Sequence, residues 1–286
     1  NTADWLWKSW AASFGQQTCR QIAESHLSQP PLDLTVKTDP VGWTKKLSGL
    51  LLDTGSIRLF DYDAVELLNG YNDGAWWVQD AAAALPVKLL GNIKGLKIGD
   101  LCAAPGGKTA QLAAGGAEVF AIDRSANRLT KLNQNLTRLN LAAQTIVADA
   151  VNWRPETLLD AILIDAPCTS TGTIRRHPDI QHLKTPKDIT GVLAIQNALL
   201  NAAIKMVKPR GVVVYTTCSL QSEEGPNVID AFLNSGAPVT RDPVSANEIG
   251  GIKEFITPDG DLRTLPCYLA ELGGMDGFFA ARLIHN

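Results

Sequence analysis

Three short stretches carry side chains able to do chemistry. They are Asp100-Leu101-Cys102-Ala103-Ala104-Pro105-Gly106-Gly107-Lys108-Thr109, Asp165-Ala166-Pro167-Cys168 and Thr216-Thr217-Cys218-Ser219. The first runs from an apolar strand end through a glycine-rich turn into Thr109 to Ala114, which reads as a helix. Free backbone N–H groups and the helix dipole make such a turn a place for an anion or a cofactor. Gly106 and Gly107 would let the backbone approach a ligand without a Cβ in between. The plain alternative is a tight strand-to-helix turn of any α/β protein.

Two ligand chemistries fit this turn. Gly107-Lys108-Thr109 looks like the end of a phosphate-binding loop, and Asp165, after Ala161-Ile162-Leu163-Ile164, could be the magnesium-holding carboxylate of an ATPase. Such a loop needs a first glycine five positions before its second, and Cys102 stands there. Pro105 also removes a backbone donor. The other chemistry is a nucleoside cofactor, whose ribose hydroxyls want a carboxylate at the end of the next strand. Glu118-Val119-Phe120-Ala121-Ile122-Asp123 supplies one.

Cys168 and Cys218 each read alone as small buried hydrophobes, the usual role of a free cysteine. Placed together at two strand ends beside an acid, they point to nucleophilic chemistry, because a thiolate attacks well even at a few per cent ionisation. Between them, Gly172-Thr173-Ile174-Arg175-Arg176-His177-Pro178-Asp179 offers an Arg-Arg-His cluster suited to phosphate. It reads equally as an exposed basic loop paired with Asp179.

These residues need a scaffold. The 286 residues suffice for one large or two modest domains, and 45% hydrophobic content supports a real core. A net charge of −3 weakly opposes broad nucleic-acid binding but leaves room for a local basic groove. No apolar run reaches the roughly 18 residues of a membrane helix, and no signal peptide is visible, so no membrane partner is expected. Cys19, Cys102, Cys168, Cys218 and Cys267 form no C-x-x-C pair, which argues against a metal site. An odd, sparse cysteine count suits a reducing, cytoplasmic location. The chain begins at Asn1 rather than Met, so a fragment of something longer is one expectation.

Asp4 to Leu27 reads as two short helices broken near Gly15, with Trp5, Trp7 and Trp10 packed on a neighbour rather than stacking on bases. Pro30-Pro31 ends that segment. Leu32–Val36 and Ser56–Phe60 alternate like strands around a helix from Asp39-Pro40 to Leu50. Residues 32–75 thus form a small α+β subdomain, on which Lys37, Lys45 and Lys46 could line an RNA path or simply be solvated. Trp76–Gln79 is strand-like, and Asp80 caps a helix through Leu90. From there, strands at 98–102, 118–122, 145–148, 161–165 and 211–217 alternate with helices, and Gly277–Leu283 closes as a late strand. Such alternation predicts a mostly parallel doubly wound sheet with ligands beyond the carboxyl ends of its strands. Cys102, Asp123, Asp149, Asp165 and Cys218 all fall at those ends.

The segments Asp100–Thr109, Asp165–Asp179 and Tyr215–Glu224 closely resemble the RNA (cytosine-5) methyltransferases. The run Thr171–Ile180 looks most like their bacterial small-subunit ribosomal RNA branch, the RsmB type; Gln79-Asp80 and Gly274–Phe279 are similar too. The resemblance is weakest over residues 1–31 and 236–270. It implies a Rossmann-like, class I S-adenosylmethionine-dependent methyltransferase fold over residues 76–286, with a helical segment at 1–31 and an RNA-binding-like subdomain at 32–75. It implies that Cys102, Ala103, Ala104, Pro105, Gly106, Gly107 and Lys108 wrap the cofactor. Asp123 would take the ribose hydroxyls, Asp149 the adenine, and Asp165 the methionine end and the target base. Carbon 5 of cytosine is a poor nucleophile until a thiolate adds at carbon 6. By resemblance Cys218 is that thiolate, Cys168 serves the later elimination, and a protonated Asp165 donates to ring nitrogen 3. Arg175, Arg176 and His177 become candidates for RNA contacts, and a monomer acting on 16S ribosomal RNA is expected. Relatives of the RsmB type carry a further N-terminal helical RNA-binding domain, so this chain is either trimmed or uses less RNA-binding surface. A non-catalytic RNA-binding protein on the same fold, or a P-loop-like ATPase, remains as an alternative.

Overall fold

A computed structural model describes residues 2–286 of the chain. Helices α1 (Asp4–Phe14) and α2 (Gln16–Ser25) break at Gly15, where φ is 84°, a left-handed value that glycine adopts without a Cβ penalty. They are not a free-standing module. Leu6, Trp10, Cys19 and Ile22 pack against Ile174, Leu220 and Leu265. Trp10 Nε1 donates to Gln221 Oε1 at 2.8 Å, so the tryptophan is core, as its spacing predicts.

Next come β1 (Leu32–Val36), α3 (Pro40–Lys46), β2 (Leu50–Leu51), β3 (Ile57–Leu59) and β4 (Trp76–Val78). Asp39 caps α3 by accepting the Gly42 amide at 2.9 Å, and Pro40 fits its first turn. The helix stops at Lys46, short of the expected Leu50, because Leu50 and Leu51 pair with Arg58 and Ile57. The four strands form one antiparallel sheet in the order β2-β3-β1-β4. The small sheet therefore runs past residue 75. Trp76 pairs with Val36 and is buried with Leu34 and Ile57, so the expected boundary cuts through this subdomain.

The large sheet follows. Its elements are α4 (Leu85–Lys88), β5 (Lys97–Leu101), α5 (Gly107–Ala114), β6 (Glu118–Asp123), α6 (Ala126–Arg138), β7 (Gln144–Val147) and β8 (Leu159–Asp165). Then come α7 (Ile180–Leu183), α8 (Pro186–Ile204), β9 (Val207–Thr217), α9 (Pro226–Asn234), β10 (Val239–Arg241), β11 (Leu262–Thr264) and β12 (Phe278–His285). The main order is β10-β12-β9-β8-β5-β6-β7, parallel from β9 to β7, with β12 antiparallel to β9. Ala161-Ile162-Leu163-Ile164 in β8 is buried throughout, as expected of a central parallel strand covered on both faces. Leu129, Leu132 and Leu136 form the apolar stripe of α6, and Ser125 caps it. The strand order reverses between β5 and β8. A crevice therefore opens there beyond the carboxyl ends, where such sheets bind ligands.

A buried ion pair inside the small sheet ties it to segments that follow β4 and precede β12. Arg58 meets Asp33 through two hydrogen bonds of 2.7 Å, and both side chains are fully buried. Asp33 also accepts the Ala81 amide at 3.0 Å, and Arg58 donates to the Leu272 carbonyl at 2.7 Å. Asp33→Ala strands the guanidinium without its partner and is expected to cost about 3–5 kcal/mol. Urea unfolding measures this, and a loss below about 1 kcal/mol would show that the pair does not hold the joint.

Candidate active site

β5 hands the chain to the rim at Cys102, which has a positive φ of 63°. Its thiol is pushed up to about 12 by burial and by the Asp165, Asp123 and Asp100 carboxylates, so Cys102 lines the site as a neutral group. Ala103, Ala104 and Gly106 are buried in the turn, and Pro105 is exposed. Gly106 has a φ of 103°, and a Cβ there would meet Leu132 Cγ at 2.6 Å. The protein's own packing therefore requires that glycine. A Cβ on Gly107 would find nothing nearer than Gln79 at 3.8 Å.

Two further residues of this stretch face inward. Thr109 Oγ1 donates to Asp100 Oδ2 at 2.5 Å, while Asp100 Oδ1 is buried without a partner. Burial pushes the Asp100 carboxyl up to about 7. Lys108 Nζ is 2.8 Å from Asp165 Oδ2 at the end of β8. Burial works against the Lys108 charge, but Asp165 outweighs it and raises its pKa.

Beside the turn lies an open cleft lined by Cys102, Ile122, Asp123, Ala148, Asp149 and Leu199 among others, at the carboxyl ends of the strands where such sheets bind ligands. Asp123 accepts the Ala104 and Ser125 amides at 3.2 and 2.9 Å, and Arg128 Nη1 sits 3.1 Å away. Asp149 accepts the Val151 amide at 3.0 Å and Asn152 Nδ2 at 2.8 Å. A carboxylate has about four acceptor positions, so both retain capacity toward the cleft. One apolar wall and two carboxylates match a nucleoside with its ribose and base in the cleft.

The two cysteine loops meet at the same rim. Cys168 Sγ and Cys218 Sγ are 3.5 Å apart, and Ser170 Oγ is 3.8 Å from Cys168 Sγ. Contact with the Cys168 thiol pulls Cys218 down, with Lys108 adding to the effect, against burial and Asp165. Contact with Cys218, burial and Glu224 push Cys168 up. Of the two thiols Cys218 is therefore the more readily ionised. Lys108 Nζ also lies 5.1 Å from the Phe278 ring centre, which closes the site from β12.

The arginine cluster does not face a ligand. Arg175 donates to Asp276 at 2.7 Å and to Asp80 at 3.0 Å, with 1% of its side chain exposed. Arg176 reaches the same two carboxylates at 3.2 and 2.7 Å. Arg175 is buried and committed to these acids, which leaves it no phosphate contact, while Arg176 bridges the same acids with 24% of its side chain exposed. His177 is exposed and keeps its candidacy. The expected helix from Asp80 to Leu90 shrinks to Leu85–Lys88, with one Asp80 oxygen accepting the Ala82 amide and the other the arginines. Sequence reasoning missed Glu224, whose carboxylate holds Thr169 and Ser219. Glu223-Glu224 gives no sign of which acid turns inward.

The family model for the 16S rRNA methyltransferase RsmB/F matches residues 88–284. The chain belongs to that family. It is 36% identical, over 99% of its length, to ribosomal RNA small subunit methyltransferase B of Cronobacter sakazakii. It covers 67% of that relative, and 64% of its counterpart in Erwinia tasmaniensis, so the chain spans about two thirds of the curated relatives it matches. Among solved structures it is similar to PH0851, at 25% identity and a TM-score of 0.88, over 99% of this chain and 66% of that one. It is also similar to NSun6 from Pyrococcus horikoshii, solved with SFG, at 20% identity and a TM-score of 0.81, over 98% and 97% of the two chains. The fold is the class I, Rossmann-like methyltransferase fold, and the match reaches the N-terminal segment where the motif resemblance is weakest.

Arg175→Ala is expected to leave Asp80 and Asp276 with Arg176 between them, one buried cation short, and to cost about 3 kcal/mol of stability. The salt slope of RNA binding should stay unchanged, since no phosphate contact is lost. An unchanged urea midpoint with a shallower salt slope would reverse that assignment.

Proposed function

We propose that this chain is the catalytic part of an S-adenosylmethionine-dependent RNA (cytosine-5) methyltransferase acting on 16S ribosomal RNA through a covalent cysteine adduct. The observation that carries this is the pair of thiols 3.5 Å apart beside a cleft lined by Asp123 and Asp149. A non-catalytic RNA-binding protein has no chemical need of that pair. An ATPase reading loses its phosphate-binding lysine, because Lys108 is held by Asp165. S-adenosylmethionine, when bound, supplies an electrophilic methyl group on its sulfonium sulfur. Asp123 and Asp149 are placed for its ribose and adenine, and the turn from Cys102 to Lys108 forms the wall beside them.

The chain's own residues do the rest. A target cytosine must leave its stack to reach the rim, which is cheapest in single-stranded or loop RNA. The Cys218 thiolate forms a bond to carbon 6, and carbon 5 becomes enamine-like and able to accept the methyl group. Asp165 was expected to donate to ring nitrogen 3. In the ion pair the proton sits on Lys108, so Lys108 is the donor we assign, with Asp165 orienting it. After methylation a solvent water takes the proton from carbon 5, the electron pair of that C–H bond re-forms the carbon 5–carbon 6 double bond, the carbon–sulfur bond breaks, and Cys218 departs as a thiolate. The Cys168 thiol, in contact with that sulfur, can donate its S–H to the departing thiolate. Exposed Lys45, Lys46 and His177 are among the side chains available to meet RNA. Ribosomal RNA as substrate places the work in the cytoplasm. Among the described residues no helix is long and apolar enough to cross a membrane.

Cys218→Ala is expected to abolish methyl transfer, and Cys168→Ala to accumulate a protein–RNA adduct that survives denaturing electrophoresis. Full turnover by the first variant would remove Cys218 as nucleophile, and no adduct with the second would remove Cys168 from release.

A further inference from the structure

One buried carboxylate ties together the residues that follow both cysteines. Glu224 is fully buried. Its Oε2 accepts the Thr169 amide at 2.8 Å, and its Oε1 accepts the Thr169 hydroxyl and, at 3.0 Å, the Ser219 hydroxyl. Gln196 Nε2 stands 3.5 Å from Oε2. Thr169 directly follows Cys168, and Ser219 directly follows Cys218. The network extends sideways, with Ser219 Oγ 3.2 Å from Thr169 Oγ1 and 3.3 Å from Thr171 Oγ1. The Glu224 carbonyl in turn accepts the Tyr215 and Thr217 hydroxyls at 2.9 and 3.3 Å, which anchors the acid to the end of β9.

Nothing in the methyl-transfer scheme uses this acid, yet its placement is not neutral. All four of its side-chain partners are donors, which an anion satisfies and an amide does not. Among the described residues no cation lies within ion-pair distance of it. Arg263, whose charge Glu224 favours, spends Nη1 on the Ser219 carbonyl at 2.7 Å. The charges around the thiols are therefore unequal. Glu224 takes two hydrogen bonds from Thr169, next to Cys168, and one from Ser219, next to Cys218; its charge pushes the Cys168 thiol up, while that of Lys108, partly offset by Asp165, pulls Cys218 down. An anion disfavours a neighbouring thiolate, and a cation favours one.

We propose that Glu224 is a positioning residue: it clamps the two cysteine loops together and keeps the shared proton on Cys168, so that Cys218 carries the attacking thiolate. This rests on Cys218 being the nucleophile, but its test needs neither RNA nor cofactor. Limiting iodoacetamide at neutral pH, followed by peptide mass mapping, gives the initial ratio of Cys218 to Cys168 alkylation. Cys218 should react first in the unaltered protein. Glu224→Gln removes the charge and should lower that ratio about tenfold, which corresponds to about one pKa unit of bias. Glu224→Asp keeps the charge on a shorter arm. It should preserve the ratio, while the loosened clamp lowers kcat for methyl transfer with KM for the cofactor unchanged.

An unchanged ratio in Glu224→Gln, or Cys168 reacting first in the unaltered protein, would overturn the proposal. The second result remains decisive even where the Gln variant does not fold. A shifted ratio with full turnover by Cys218→Ala would instead sink the nucleophile assignment alone.

Discussion

Two neighbouring parallel strands set the constraint on which the rest depends. β8 and β9 run side by side with Asp165 opposite Thr216, so both chains leave the sheet at the same rim. Cys168 follows three residues after Asp165, and Cys218 two after Thr216. Only this register brings the sulfurs to 3.5 Å, because a one-residue slip would turn every side chain of a strand to the opposite face. A thiol in contact with a thiolate is a proton-sharing pair, and its asymmetry has to come from surrounding charge. The ion pair of Lys108 with Asp165 on one side and Glu224 on the other provide it.

The rim is held from outside by buried ions. Arg175 and Arg176 bridge Asp80, just after the small sheet, and Asp276, just before β12. Burial works against charge on Asp80, but Arg176 and Arg175 outweigh it and hold its carboxyl low; burial and Asp80 itself push Asp276 up. Two distant chain segments thus converge on the loop that follows Cys168. The N-terminal helices add an apolar lid, with Trp10 bonded to Gln221 three residues after Cys218. Segments remote in sequence share one purpose, which is to fix two short loops.

The alternation of apolar runs made the large sheet legible. The strands expected at 161–165 and 118–122 appear at Leu159–Asp165 and Glu118–Asp123, since fully covered parallel strands read as continuous apolar runs. Cys168, Cys218, Asp123 and Asp149 were legible because their types are uncommon at strand ends, and the structure gathers them at one rim. What was illegible depends on partners. Arg175 and Arg176 look like an exposed basic loop until Asp80 and Asp276, about 100 residues away on either side, are folded against them. Trp76 looks like the start of the large domain until its pairing with Val36 is known. Asp165 looks like a lone acid until Lys108 is seen beside it. In each case the deciding contact is long-range, and local pattern carries no record of it.

The central claim is that this rim methylates carbon 5 of cytosine in small-subunit ribosomal RNA. Its most direct test is methyl transfer from labelled S-adenosylmethionine to unmodified 16S ribosomal RNA, followed by digestion and nucleoside analysis. The account predicts that the label is recovered in 5-methylcytidine. Label in any other nucleoside, or a protein that binds the cofactor and the RNA yet transfers nothing, would contradict it.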